Sequence, residues 1–246
     1  MNTRVTGFET VIDHLHESHL ESNVGQRLNW LRAGVLGAND GIVSVAGVVV
    51  GVAAATPGNV IAIATAGIAA LVAGAFSMAG GEYVSVSTQR DTEKALIEKE
   101  SIELKEHPQA ELAELTGMYR KRGLSAKLAK QVAEELTEHD ALAAHAEVEL
   151  GIDPDEYTSP WVAAFSSFIA FTLGGLIPML MILIPGGNAV ALTAIAVVVG
   201  LFLTGLLSAK LGEAPIWPAI IRNVLMGSAT MVATYLIGML FGVAIG

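Results

Sequence analysis

The sequence predicts an all-α, polytopic membrane protein with five transmembrane helices and a three-helix acidic cytoplasmic domain. Three observations carry that expectation: long uncharged apolar stretches recur five times, charge is segregated into one segment, and loops with lysine or arginine alternate with loops that have neither. Of the 246 residues, 52% are hydrophobic and only 15% charged, and the mean hydropathy of +0.56 lies above the range of ordinary soluble domains. Residues 91–156 hold 17 of the 24 acidic and 8 of the 14 basic residues, a formal charge of −9, which leaves the remainder nearly neutral.

The chain is organised around the stretch that begins at Val60. Val60 to Gly81 contains no charge over 22 residues, enough to cross a hydrocarbon core at about 1.5 Å rise per residue. No breaker follows, and helix-forming acidic sequence continues to Glu106, so one rod is expected to start in lipid and end in water. The other spans are Ala33 to Ala55, Trp161 to Ile184, Ala189 to Ala209, and Ile220 to Val243. Uncharged breaks at Thr56-Pro57-Gly58-Asn59 and Pro185-Gly186-Gly187-Asn188 separate two pairs of them, and Gly212-Glu213-Ala214-Pro215 separates the last pair. All should be helices, because lipid offers open-chain backbone groups no other partner.

The resulting division is an amphipathic segment at 1–30, two spans within 31–90, an acidic metal-binding domain at 91–158, and three spans within 159–246. All fourteen lysines and arginines fall on the side that holds the N-terminus, which the positive-inside rule makes cytoplasmic and puts the C-terminus opposite. Trp30, Trp161, Trp217, Tyr83 and Tyr157 mark the same ends, where aromatic rings favour the headgroup level. No basic leader with a short apolar core opens the chain, so a cleaved signal peptide is not expected. There are no cysteines, which excludes thiolate metal sites, and the acidic domain argues against a nucleic-acid partner.

Polar residues inside the spans are the first functional candidates. Asp40 lies several turns into the first span, where an unpartnered carboxylate costs several kcal/mol. Met78 and Glu82 share a face of the second helix, and a thioether beside a carboxylate suits a divalent transition metal. Methionine also fills space in cores. Rows of small residues, Ala33-Gly37-Gly41, Gly47-Gly51 and Gly238-Gly242, permit close helix approach within one subunit or between two. Pro178 removes a hydrogen bond from the third span. His14, His16 and His19 sit near the N-terminus, where ordinary histidines on a solvated helix are the preferred reading and a metal role for His16 and His19, three apart on one face, is the alternative.

In the acidic domain the first helix is the end of the rod, the second begins at Pro108, and the third runs from Ser125 as N-cap to Leu150, stopped by Gly151. Glu100 and Glu103 pair on the first, Glu111 and Glu114 on the second. Folding about His107-Pro108 would gather all four, with His145 and Glu149 closing the group from the third. Clustered carboxylates repel unless cations neutralise them, and oxygen donors suit hard or borderline ions; a solvated acidic face is the bland alternative. No Glu-x-x-His occurs, which removes a ferritin-like di-iron bundle.

These residues resemble the vacuolar iron transporter family, which includes the yeast-type calcium-cross-complementing manganese and iron transporters. The likeness runs from Leu31 to Gly246. Its most specific pieces are Arg32-Ala33-Gly34-Val35-Leu36-Gly37-Ala38-Asn39-Asp40-Gly41, then Met78-Ala79-Gly80-Gly81-Glu82-Tyr83-Val84-Ser85 with Gln89-Arg90-Asp91, and the acidic helices. The resemblance implies a homodimer in the lipid bilayer, a path between subunits lined by the first helices, and proton-coupled movement of ferrous iron or manganese out of the cytoplasm. It implies that Asp40 and Met78 serve in the membrane and that Glu100, Glu103, Glu111, Glu114 and Glu149 bind metal outside it. His145-Ala146 stands where plant-type members have adjacent methionines, which leaves zinc and cobalt as further candidate ions. A channel and a membrane-anchored metal sensor are the competing functions; no enzyme is expected, for want of a nucleotide loop, nucleophile arrangement or redox centre. Chain size and the lack of a sorting signal point to a bacterial plasma membrane.

Overall fold

The computed structural model describes residues 24–153 and 157–245, so the expected N-terminal histidine helix lies outside the described residues. Among the described residues seven α-helices follow one another: α1 Val24–Ala55, α2 Val60–Glu106, α3 Pro108–Lys121, α4 Ala126–His145, α5 Pro160–Ile182, α6 Ala189–Leu211 and α7 Ile216–Ile245. Five of them, α1, α2, α5, α6 and α7, are long and apolar enough to cross a membrane. The described residues divide into two compact units, one made of those up to Val84 together with those from Pro160 onward, the other of those within Ser85–Ser159.

In the apolar unit, many small and β-branched residues lie inside and many large apolar ones outside: Ala33, Val45, Ala46, Val49 and Val197 are fully buried, while Ile61, Phe76, Trp161 and Leu240 are each at least 67% exposed. Water would not tolerate so much contiguous apolar surface, whereas lipid does. One core cluster joins Val45, Val49, Ile63, Ala75, Phe171 and Met179 across α1, α2 and α5; a second joins Ile42, Ala46, Val197, Leu201 and Met231 across α1, α6 and α7.

The small-residue rows are used within the subunit. A methyl group at Gly37 would lie 2.7 Å from the Ser167 carbonyl oxygen of α5, and one at Gly41 would collide with the Phe171 carbonyl. Gly174 returns the contact against Ala38. At the other end of α1, Gly51 meets Thr234 of α7, and Gly238 and Gly242 meet the backbone of Gly51 and Ala55. Helices in lipid gain little from burying apolar surface against each other, so backbone approach of this kind is a main source of packing energy. α5 runs through Pro178, whose ring is buried.

The acidic unit has two separate helices of its own, α3 and α4; the first of the three expected there is the unbroken end of the 47-residue α2. Pro108 opens α3 as expected, and the Ser125 hydroxyl accepts the Leu128 N–H at the start of α4. Leu115, Ala133 and Ala144 form a small core between them. The expected continuous helix to Leu150 is interrupted: Asp140 has extended backbone (φ −159°, ψ 98°), and its carboxylate accepts the Ala143 N–H as a fresh N-cap. The final turn, Ala146–Leu150, is π-helical and stops at Gly151 with φ 65°.

Inserting a methyl group by Gly41→Ala is expected to destabilise the purified protein by about 1–3 kcal/mol through overpacking against α5. Gly117→Ala, which meets open space inside α3, is expected to leave stability unchanged or raise it by up to about 1 kcal/mol. Thermal unfolding in detergent checks both.

Candidate metal centre

In the acidic unit, α2 presents Glu100, α3 presents Glu111, and the segment after Asp140 presents His145. One ligand atom from each lies within 4.8 Å of the others, and all three residues are buried. His145 Nδ1 is 3.0 Å from Glu100 Oε1, 3.6 Å from Glu149 Oε2 and 3.9 Å from Glu111 Oε2. Glu149 joins from the π turn, one turn beyond His145, with its side chain partly exposed.

The geometry is that of converging lone pairs. Despite the 3.0 Å separation, His145 Nδ1 and Glu100 Oε1 are not aligned as a hydrogen bond, and Nε2 of the same ring is also unpaired. A buried polar atom without a partner costs about 1–3 kcal/mol. Two donors bound to one cation at about 2.1 Å and a right angle stand about 3 Å apart, so a divalent ion would satisfy both atoms. Burial pushes the Glu100 carboxyl above its ordinary value; the neighbouring carboxylates of Glu149, Glu111 and Glu103 push in the same direction, and His145 opposes them.

The remaining acidic candidates are placed differently. Glu103 accepts a hydrogen bond from Lys99 at 3.0 Å on a more exposed face, and that bond raises the Lys99 pKa. Glu114 is exposed, one turn along α3 from buried Glu111. Three residues of helix leave neighbouring glutamates about 60° apart around the axis, so one member of each pair turns inward and the other outward. Asp140 and Arg122 were not foreseen from the sequence. Asp140 re-starts the helix that carries His145, and Arg122 donates to the Val148 carbonyl at 3.1 Å, holding the π turn. An aspartate immediately before the short apolar run Ala141-Leu142-Ala143-Ala144 was the available signal for the first.

In the apolar unit, Asp40 is half-buried on α1 and its carbonyl accepts the Ser44 hydroxyl. The Asn39 side-chain oxygen beside it is buried without a hydrogen bond. Met78 is partly buried and packs against the α1–α2–α5 core cluster. Glu82, one turn on, is buried, and its Oε2 lies 3.7 Å from Arg32 Nη2. An apolar groove of about 590 Å³ between α1, α5 and α6, lined among others by Trp30, Ala38, Phe165 and Leu207, includes none of these polar residues.

The chain is similar to one family of known proteins over most of its length. The profile of the VIT family matches residues 31–239. A vacuolar iron transporter of Acanthamoeba castellanii is 49% identical over 152 residues, 62% of this chain and 55% of that protein, so the match spans about half of its length. Vacuolar iron transporter homolog 2 of Oryza sativa subsp. japonica is 35% identical over 217 residues, 87% of this chain and 92% of the relative. Homolog 2.1 of Arabidopsis thaliana is 34% identical over 212 residues, covering 85% and 80%.

The raised Glu100 pKa sets a pH dependence. Because the folded value lies above the unfolded one, the contribution to stability is full below about pH 4.5 and is lost as pH rises through the folded value. Without metal, the acidic unit is therefore expected to unfold more readily at pH 7 than at pH 5. Manganese should stabilise it more at pH 7, and Glu100→Gln should flatten the pH profile. Chemical denaturation at the two pH values, with and without manganese, checks this.

Proposed function

Because this chain belongs to the VIT family, we propose that it moves a divalent transition metal, ferrous iron or manganese, out of the cytoplasm in exchange for protons. The observation that carries this reading is the buried Glu100–Glu111–His145 group, whose unpaired lone pairs converge on a space that a cation would satisfy. Carboxylates with one imidazole form a donor set of intermediate hardness, suited to manganese and ferrous iron and tolerant of cobalt and zinc. Metal competes with protons at Glu100, since a carboxylate that holds its proton more tightly must release it to bind a cation.

In this reading the acidic unit faces the cytoplasm with the N-terminus, collects the ion, and delivers it to a membrane path. Asp40 holds the ion inside the bilayer, with Met78 and Glu82 as further ligands on α2. Glu149 contributes an oxygen to the cytoplasmic group, and Glu103 and Glu114, on the outward faces of their helices, draw cations toward it. Two copies form a homodimer, with α1 of each lining the route, in a bacterial plasma membrane. The half-buried position of Asp40 on a spanning helix supports its role, because a carboxylate there needs a cation, a proton or water.

Reconstitution into proteoliposomes, with ferrous iron, manganese, cobalt and zinc offered in turn, tests the proposal. Asp40→Ala is expected to abolish flux nearly completely, and Glu100→Ala to reduce it or alter the preference among ions. Uphill movement under an imposed proton gradient is expected of an exchanger and excludes a channel. Equal flux in wild type and both variants defeats the assignment.

A further inference from the structure

The ion pair between Arg32 and Glu82 has a feature that packing does not require. Glu82 is almost wholly buried, its side chain 9% exposed, yet its Oε2 makes no hydrogen bond and faces the Arg32 guanidinium at 3.7 Å. Among the described residues Arg32 is the cation within 4.0 Å of that carboxylate. The Arg32 side chain is 57% exposed. One partner is therefore trapped and the other is free to leave.

Arginine does not give up its proton in proteins, so Arg32 neutralises Glu82 for as long as it stays. Withdrawing it alone strands a buried carboxylate, which is strongly unfavourable. Withdrawing it while another cation arrives is not. The exchange also discriminates: a monovalent ion merely replaces one positive charge with another, whereas a divalent ion brings one charge more to the same oxygens. The long contact, outside hydrogen-bond range, means that little directional bonding is lost when the guanidinium swings out.

We infer that Arg32 is a tethered placeholder for the incoming ion at Glu82, a selectivity-determining residue that yields to a divalent cation and not to a monovalent one. The inference deepens the transport reading, since it treats Glu82 as a metal ligand. Arg32 acts through Glu82 and does not touch the ion.

The test is manganese binding to the full-length protein in detergent, read by electron paramagnetic resonance. All variants carry Glu100→Gln and His145→Ala, so that the cytoplasmic group does not dominate the signal. Arg32→Gln is expected to tighten manganese binding about fivefold, the strength of an ion pair with one exposed partner, and to make that binding sensitive to potassium. Arg32→Lys should keep the parental affinity. In a Glu82→Gln background, Arg32→Gln should change nothing, because no carboxylate remains to be covered. Unchanged affinity in Arg32→Gln, or the same tightening with Glu82→Gln present, overturns the inference. Failure of the wild type to carry metal in proteoliposomes would defeat the transport reading and leave this binding result standing.

Discussion

The backbone-to-backbone approach of α1 to its neighbours is the constraint on which the apolar unit rests. Gly37 and Gly41 let it reach the carbonyls of Ser167 and Phe171 on α5, and Gly51 with Gly238 does the same toward α7. No hydrophobic force drives two helices together in lipid, since tails are as apolar as leucine. What remains is dispersion between closely fitted surfaces, and that requires the missing Cβ atoms. A helix so held is a firm mount for the half-buried Asp40, which α1 presents beside the unpaired oxygen of Asn39.

Both units meet the same electrostatic problem, a carboxylate taken out of water, and solve it differently. Glu100 is buried among further carboxylates, so its pKa rises against the opposing pull of His145, and the group retains an affinity for protons and cations alike. Glu82 has a permanent cation facing it from α1. The first is a site with a deficit of positive charge that an ion would fill; the second is already balanced. The difference follows from the partner's chemistry: imidazole can be neutral, guanidinium cannot.

The break at Asp140 ties local chain geometry to the cluster. In an uninterrupted α-helix from Ser125, the direction in which His145 points would be set by helix phase alone. An extended residue followed by a new N-cap resets that phase, and the π turn, held by Arg122, sets where Glu149 points relative to His145. The result is a fully buried imidazole with three carboxylates around one nitrogen. Departure from regular helix at such a place is common at functional sites, where a side chain must be aimed and not merely placed.

By itself, the sequence determined the elements, apart from the break at Asp140 and the π turn that follows it. Lengths of uncharged chain specify five spans through bilayer thickness; Pro108, Ser125 and Gly151 mark helix ends through their own backbone chemistry; and the unbroken run from Val60 to Glu106 appears as one helix because nothing in it stops hydrogen bonding. Those are local or one-dimensional properties, and the pattern of residues contains them. Which glutamate of each pair turns inward was not contained there, because Glu100 and Glu103, or Glu111 and Glu114, differ only in angle about an axis whose neighbour is unspecified. Nor could the row of glycines say whether it met its own subunit or a second one. The pairing of Arg32 with Glu82 and of Glu100 with His145 joins residues about 50 positions apart, and only the packing of the helices brings such distant groups within reach.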